Sequence, residues 1–195
     1  MGSGTTFKEV SGSTMKNIEV MIPENIDEQV SIGDILSCLD DKIELNSNIN
    51  DNLVQQAKAI FKSWFIDFEP YSSCEFVKTL HGSIPKGWTA GDLGDVITLY
   101  DSKRVPLSGN IRGKMDKIYP YYGAASLMDY VDNYLFDGVY LLLGEDGTVI
   151  DESGYPVLQY VWGKFWVNNH AHILQGTNGF IVESLYLLLK QTNIR

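Results

Sequence analysis

The stretch "IDEQVSIGDILSCLDDKIELNSNINDNLVQQAKAIFKSWFIDFEP", residues 26–70, sets the architecture of this chain. Asn25 followed three residues later by Glu28 is typical of a capping box, and no proline interrupts the pattern before Pro70. We therefore predict one helix over residues 25–69. At 1.5 Å per residue it would span roughly 65 Å, so it should project from a domain of ordinary size.

The apolar residues of this helix recur at steps of four and three, the spacing of a coiled-coil seam. Asn46 and Asn50 are polar exceptions near the centre. If two copies ran antiparallel about residue 48, these amides would face each other and the other layers would be apolar. A buried amide layer sacrifices stability to fix register, although parallel pairing would satisfy it too. An amphipathic helix packed on its own domain is the alternative. The predicted dimerisation residues are Ile32, Leu36, Leu39, Ile43, Asn46, Asn50, Leu53, Ala57, Ile60 and Trp64.

The composition limits the classes of protein to which this chain can belong. Apolar residues make up 44 % of the chain, enough for a core, and no apolar run reaches the roughly 20 residues of a membrane span. Two cysteines in unlike contexts and an N-terminus without a signal pattern favour a reducing, cytoplasmic location. A net charge of −10 argues against nucleic-acid binding. However, residues 24–69 hold ten acidic and three basic side chains, so most of the excess lies in the helix.

Residues 70–195 are rich in turns and short apolar runs, which predicts a mixed α/β domain. "YLFDGVYLLLGEDGTVI" (134–150) predicts a strand, a turn and a second strand. "VWGKFWVNNHAHILQG" (161–176) predicts a strand pair, and "GFIVESLYLLLKQT" (179–192) predicts a helix. Near the N-terminus, "IEVMIP" (18–23) has the composition of a short strand.

No motif for catalysis is present: there is no phosphate-cradling glycine loop, nucleophile elbow or Cys/His arrangement. "GEDGT" (144–148) lacks the calcium-loop spacing and is better explained as a turn. His170 and His172 could be two metal ligands or two hydrogen-bonded imidazoles. We favour the second interpretation because no further Cys or His lies nearby in the sequence. We therefore assign no catalytic or metal-binding residue.

The segment "DSKRVPLSGNIRGKMDKIYPYYGAAS" (101–126) concentrates five of the ten basic residues of this domain within 17 positions, followed by tyrosines. A basic loop of this kind is suited to neutralising phosphates and contacting base edges. An ordinary solvated surface loop is the alternative. The predicted DNA-binding residues are Lys103, Arg104, Arg112, Lys114, Lys117, Tyr121, Tyr122 and Asn168.

A family resemblance covers nearly the whole chain. Residues 26–70 closely resemble the central conserved region of type I restriction-modification specificity (S) subunits. "GSIPKGW", "KRVPLS…YPYYGAASLMDYVDNYLFDGVYLLLGEDGT" and "GKFWVNNHAHIL" resemble their target-recognition domain, and "GSTMKNIEVMIP" resembles the end of such a domain. The resemblance implies a non-catalytic chain that reads double-stranded DNA, with paired antiparallel helices spacing two recognition domains. Methyltransferase (M) and restriction (R) subunits would be its partners. S-adenosylmethionine for adenine methylation would bind to M, and this chain would bind no cofactor.

The chain departs from the family pattern because it has one long helix and one recognition domain. We predict three parts: residues 1–24 as a tail that completes the recognition domain, 25–69 as the dimerisation helix, and 70–195 as the body of the domain. Two copies would rebuild a symmetric reader of a split palindromic site. The alternatives are a fragment of a fused restriction-methylation enzyme and a coiled-coil scaffold without DNA affinity.

Overall fold

The computed structural model describes residues 10–147 and 149–194. The chain divides into two compact units, Met1–Leu53 and Val54–Arg195, and the boundary falls inside the long helix. One long helix, short helices and two sheets make a mixed α+β protein, as predicted. In the part of the chain that is described, no helix has the length and apolarity to cross a membrane.

The first element is a short helix, α1 (Gly12–Lys16), which begins where the Ser11 Oγ accepts the Thr14 N–H at 3.1 Å. Residues 18–23 then run into the long helix without pairing to any described strand, and their apolar side chains are exposed. The predicted strand at this position is therefore wrong, because residues 18–23 form no strand in the described structure. Residues 1–9 of the predicted tail lie outside the described residues, and its role in the recognition domain remains a prediction.

The long helix, α2 (Ile26–Phe65), begins as the sequence predicts. Asn25 Oδ1 accepts the backbone N–H of Asp27 at 2.8 Å, which satisfies one of the free donors of the first turn. No hydrogen bond from the Glu28 side chain back to the cap is found among the described residues. The helix is therefore capped by the asparagine alone, which is half of the predicted capping box.

The helix ends at Phe65, four residues earlier than predicted. Phe68 adopts a left-handed backbone with φ of 55°, which helical geometry excludes, and a short 3₁₀ turn, Glu69–Tyr71, follows. Aromatic packing accompanies this turn. The Phe68 and Tyr71 rings each lie 5.2 Å from the Trp88 ring in edge-to-face geometry.

A small hairpin follows the helix, formed by β1 (Phe76–Thr79) and β2 (Gly82–Pro85). Gly82 has a φ of 116°, a conformation that glycine adopts without strain, directly after the two-residue turn. The hairpin therefore forms a two-stranded sheet of its own before the main sheet begins.

The main sheet of the second unit has six strands in the order β3-β8-β6-β7-β4-β5. Neighbouring strands are antiparallel except for β4 and β7, which are parallel. The strands are β3 (Ile97–Leu99), β4 (Tyr119–Tyr122), β5 (Leu127–Val131), β6 (Phe136–Gly144), β7 (Leu158–Val167) and β8 (Ala171–Gly176).

The sequence predicted both strands in residues 161–176, but not their order. They form as β7 and β8, yet β6 lies between them, so each pairs with β6. The second strand predicted within 134–150 is wrong, because among the described residues there, which exclude residue 148, only an isolated bridge between Ile150 and Pro156 forms. The helix predicted at 179–192 is confirmed as α4 (Val182–Leu189).

Both faces of the main sheet are packed. On one face lie Phe136, Leu142, Phe165 and Ile173, of which the last three are fully buried. On the other face α4 covers Leu141 and Leu174 with its buried apolar side chains. The connection from β8 to α4 turns tightly at Gly176, where a Cβ atom would lie 2.0 Å from the Phe180 carbonyl oxygen. Only glycine fits there.

Candidate nucleic-acid interface

The basic segment predicted to contact DNA connects β3 to β4. It is not a plain loop, because it contains a 3₁₀ turn, Asp101–Lys103, and a one-turn helix, α3 (Gly109–Arg112). The Ser108 side chain accepts the Ile111 N–H at the start of α3. The segment therefore has defined local structure on which its basic side chains are placed.

Arg104 is held by several acceptors. Its Nη1 donates to the Glu145 carboxylate and, at 2.9 Å, to the Ala171 carbonyl oxygen, and its Nε donates to the Asp101 carbonyl oxygen at 3.0 Å. The side chain is only 14 % exposed. Arg104 thus braces the segment against the end of β6 and the start of β8. Its guanidinium donors are largely satisfied within the protein.

Arg112 and Lys117 both bind the Asp129 carboxylate, at 3.1 and 2.9 Å. Hydrogen bonds from the Lys117 ammonium, the Tyr130 backbone N–H and the Arg112 guanidinium lower the pKa of Asp129 to about 2. Arg112 also donates to the Leu107 carbonyl oxygen. These two cations therefore fix α3 against β5, and their charge is partly neutralised before any ligand arrives.

Lys103 and Lys114 are exposed, as Lys117 is, but they differ from it in their ionic partners. The Lys103 ammonium lies 5.0 Å from the centre of the Tyr100 ring. Within residues 10–147 and 149–194, neither lysine has a carboxylate partner within ion-pair distance. Of the five predicted basic residues, these two have the ammonium groups most available to a phosphate.

A cleft of about 420 Å³ opens beside α3, and we call it the arginine cleft. It joins the basic segment to the turn between β7 and β8, two regions about 60 residues apart in the sequence. Three of the predicted DNA-binding residues line it, which the sequence could not show. The lining residues are Pro106, Leu107, Ser108, Arg112, Tyr121, Met128, Asn168, Asn169 and His170.

The predicted aromatic and amide contacts lie deeper than expected. Tyr121 is 1 % exposed, with its hydroxyl accepting the Leu107 N–H at 3.2 Å, and Asn168 is 5 % exposed. Tyr122 is half-buried, and burial raises the pKa of its hydroxyl. Tyr121 and Asn168 form the floor of the arginine cleft, so a base would have to enter the cleft to touch them. Their DNA contacts remain a prediction.

Two histidines form hydrogen bonds with carboxylates. His170 Nδ1 lies 2.7 Å from Asp146 Oδ2, and His172 Nδ1 lies 2.5 Å from Asp101 Oδ2. This is the arrangement that the interpretation as hydrogen-bonded imidazoles predicts. The two pairs attach the beginning of β8 to the loop after β6 and to the turn before Arg104.

Asp101, Glu145 and His172 bring one ligand atom each within 4.8 Å of the others, which is a geometry some metal sites use. The Arg104 guanidinium is already among them, bonded to Glu145 and 3.7 Å from the Asp101 carboxylate. A cation at the centre of these carboxylates already provides the charge that a metal ion would bring. We therefore describe the cluster as an ion-pair network.

The predicted dimerisation seam lies along α2, and none of the residues of this helix is buried. Its large apolar members range from 44 % exposed at Ile32 to 66 % at Ile43, and Trp64 is 50 % exposed, whereas Ala57 is half-buried. The large apolar side chains of the seam are therefore exposed, and a helix packed on its own domain remains the alternative. Pairing of the seam with a second copy remains a prediction.

Sequence reasoning missed several residues of the candidate interface. Ser108, Asn169 and His170 line the arginine cleft with exposed polar groups, and Asp129 anchors two of the predicted cations. The sequence pattern singled out His170 only as a metal ligand or a hydrogen-bonded imidazole, and no local pattern marks Ser108, Asn169 or Asp129. They meet because β4 pairs with both β5 and β7, which brings distant turns to one place.

The sequence of this chain is similar to those of known proteins. The family model of the type I restriction modification DNA specificity domain matches residues 2–55 and 85–195. The specificity subunit of the type I restriction enzyme MjaIX from Methanocaldococcus jannaschii is 41 % identical over 213 residues, covering 98 % of this chain and 48 % of that protein. The HindI specificity subunit from Haemophilus influenzae is 46 % identical over 65 residues, which is 33 % of this chain and 14 % of that protein.

A solved structure supports the fold. The crystal structure of a type I restriction-modification S subunit from M. genitalium matches with a TM-score of 0.52 and 18 % identity, covering 95 % of this chain and 47 % of that one. The chain thus spans about half the length of the relatives it matches. The matching family is that of a specificity domain and not of a methyltransferase or nuclease, as the resemblance implied. This chain belongs to the type I restriction modification DNA specificity family.

Proposed function

We propose that this chain is a DNA-recognition subunit, or half-subunit, of a type I restriction-modification system. Its second unit reads one half of a split DNA site and directs adenine methylation and restriction by partner subunits. Family membership, joined to a basic segment that borders a polar cleft, carries this proposal. The proposal concerns a whole assembly, whereas the chain covers about half of its relatives.

The basic residues have two roles in the proposed DNA binding. Arg104, Arg112 and Lys117 hold the segment in shape through internal carboxylates, while Lys103 and Lys114 keep exposed ammonium groups for phosphates. The polar groups at the mouth of the arginine cleft, such as those of Ser108 and Asn169, are suited to base edges. Phosphate contacts then position the duplex and the cleft reads sequence.

The long helix pairs antiparallel with a second copy in this proposal. Its seam runs from Ile32 to Trp64, a rise of roughly 48 Å at 1.5 Å per residue, whereas B-DNA turns once in about 34–36 Å. Domains at opposite ends of such a pair would reach half-sites more than one turn apart. The exposed apolar seam and the central Asn46 and Asn50 support this arrangement, which predicts a palindromic split site.

The chemistry belongs to partners in this proposal. A methyltransferase subunit binds S-adenosylmethionine and methylates adenine, a restriction subunit cleaves, and this chain binds no cofactor of its own. A cytoplasmic location accords with these partners.

Methylome sequencing is the direct test. The chain is expressed with its M subunit in a host that lacks adenine methylation, and methylated positions are mapped across the genome. We expect methylated adenines within one bipartite, palindromic sequence. Methylation that depends on M but is the same with and without this chain would overturn the proposal. A non-palindromic site would overturn the homodimer.

The salt dependence of DNA binding tests which lysines contact phosphates. For Lys103→Ala combined with Lys114→Ala, we expect the slope of log affinity against log salt to fall by about 2, since each lysine that neutralises a phosphate adds about one to that slope. Lys16→Ala combined with Lys78→Ala is a matched control that removes two exposed charges outside the basic segment. An unchanged slope in the double variant would remove both lysines from the interface. Absence of DNA binding by the wild type would favour a scaffold without DNA affinity.

A further inference from the structure

Three lysines converge on a second cleft, of about 450 Å³, which the sequence did not indicate. Lys58 and Lys62 are four residues apart near the end of α2 and therefore lie on one face of the helix. Lys190 comes from the C-terminal end of α4. Together with Tyr155 and Gln191 they line what we call the lysine cleft, which lies wholly within the second unit.

The charge balance of the lysine cleft is unfavourable. Lys190 is half-buried, and its burial lowers its pKa, as does the neighbouring positive charge of Lys58. Asp151 is the one acid among the lining residues, and its attraction raises the pKa of Lys190 less than these two effects lower it. The Asp151 carboxylate also accepts the backbone N–H groups of Ser153 and Tyr155, which occupies one oxygen.

Helix termini explain only part of this arrangement. Lysines near the C-terminal ends of helices are favoured by the helix dipole, which accounts for Lys62 and Lys190 separately. Lys62 also has a partner in Asp67. The dipole does not explain why Lys58 and Lys190 face the same open space, where their charges repel each other in a protein of net charge −10. An anion in the cleft would relieve that repulsion.

We propose that the lysine cleft binds a phosphate group, supplied by the DNA backbone. The ammonium groups of Lys58 and Lys190 line one opening, with that of Lys62, which also bonds Asp67, beside them. A tetrahedral phosphate oxyanion accepts charge-assisted hydrogen bonds from such groups. The Gln191 amide and Tyr155 hydroxyl add polar groups that can complete the set. The inference that the DNA backbone supplies the phosphate rests on the proposed function. The inference that the cleft binds a phosphate group does not.

Binding of inorganic phosphate to the full chain tests the site without DNA. Calorimetry at low salt compares the wild type with Lys58→Gln, with Lys58→Gln/Lys190→Gln, and with Lys78→Gln, a matched loss of charge on β1. We expect phosphate affinity to fall about tenfold for each cleft lysine removed and to be unchanged in the control. The single variant at Lys58, on the helix surface, keeps the test valid if replacement of Lys190 destabilises the fold.

Duplex binding then separates the sources of phosphate. If DNA supplies it, the same double variant lowers the salt slope of duplex binding by about 1–2, and inorganic phosphate competes less well with duplex than in the wild type. Loss of phosphate binding with an unchanged duplex slope would assign the cleft to free phosphate and overturn the DNA source. Equal phosphate affinity in the wild type, cleft variants and control would overturn the site. Phosphate binding in a chain without DNA affinity would overturn only the proposed function.

Discussion

The main sheet and the long helix use the same kinds of apolar residue in opposite ways. In the sheet, Leu142 and Ile173 are fully buried by neighbouring strands and packed side chains. In α2, Leu36 and Ile43 are 57 % and 66 % exposed. Each buried leucine or isoleucine contributes about 1.5–3 kcal/mol of hydrophobic stabilisation, so the sheet realises this within one chain and the helix does not.

The two regions therefore serve different purposes. The sheet buries its core within the second unit, which also contains every residue that lines the arginine cleft. An apolar strip along a 40-residue helix exceeds what scattered exposed residues explain, and such strips mark association surfaces. Stability measured on this protein should therefore have a part that depends on concentration, from the helix, and a part that does not, from the sheet.

The largest effect is expected in the sheet. Phe165 is fully buried and stacks on Phe136 with ring centres 5.4 Å apart. We expect Phe165→Ala to lower the free energy of unfolding by about 3–5 kcal/mol, from reduced burial and the cavity left behind, measured by urea denaturation. Leu36→Ala is the comparison in the helix and should change the unfolding of dilute, monomeric protein much less. Equal losses at both positions would contradict this division between sheet and helix.

The second effect concerns the seam. Leu36→Glu combined with Ile60→Glu would place facing carboxylates in two layers of an antiparallel pair. We expect self-association to weaken about 100-fold or more, since each of these layers would no longer bury apolar side chains, measured by sedimentation equilibrium. Gln55→Glu, an exposed change outside the seam, controls for added charge. A wild-type chain that stays monomeric at tens of micromolar would refute the homodimer.

A smaller and opposite effect is expected at the centre of the seam. Asn46→Leu combined with Asn50→Leu replaces the amide layers by apolar ones. We expect tighter association together with less uniform stoichiometry or register, because the amides restrict the pairing geometry at a cost in stability. Sedimentation velocity and cross-linking would measure both properties. If neither changes, the asparagines do not set the register.

The smallest effect concerns pH and the polar anchor of the arginine cleft. The pKa of Asp129 is about 2, below its ordinary value of 3.8, so the folded state favours the ionised carboxylate. Its stabilisation is complete above the unfolded pKa and is lost as the pH falls from about 4 to 2. We expect Asp129→Asn to be less stable than the wild type at neutral pH and to lose less stability over that range. Parallel pH profiles would contradict the role of this carboxylate.

The sequence predicted the fold well where structure depends on neighbours along the chain. The asparagine cap, the start of α2, α4 and the strands β6, β7 and β8 all follow from local spacing and turn residues. The sequence-based prediction failed where the structure depends on contacts between residues that are distant in the chain. Residues 18–23 have strand composition but find no partner, and the left-handed Phe68 ends α2 before the predicted residue.

For the candidate site, too, the sequence predicted some features and not others. Composition alone located the basic segment, because five cations within 17 residues are visible without a structure. Composition could not show which basic side chains are hydrogen-bonded within the protein and which are available to a ligand. Arg104, for example, donates hydrogen bonds to Glu145 and Asn169, which lie 41 and 65 positions away in the sequence.

Local patterning in the sequence was enough to establish the long helix and its 3/4 seam, because helical periodicity is a property of residues three and four apart. Motifs that cover nearly the whole chain were also enough to identify the family. Only the tertiary structure showed which basic side chains are available to contact a ligand. It also showed that Lys58, Lys62 and Lys190 line one cleft. Strand order brings together residues that are distant in the sequence. The electrostatic interaction between two charged side chains depends on the distance between them in space, which no local sequence pattern encodes.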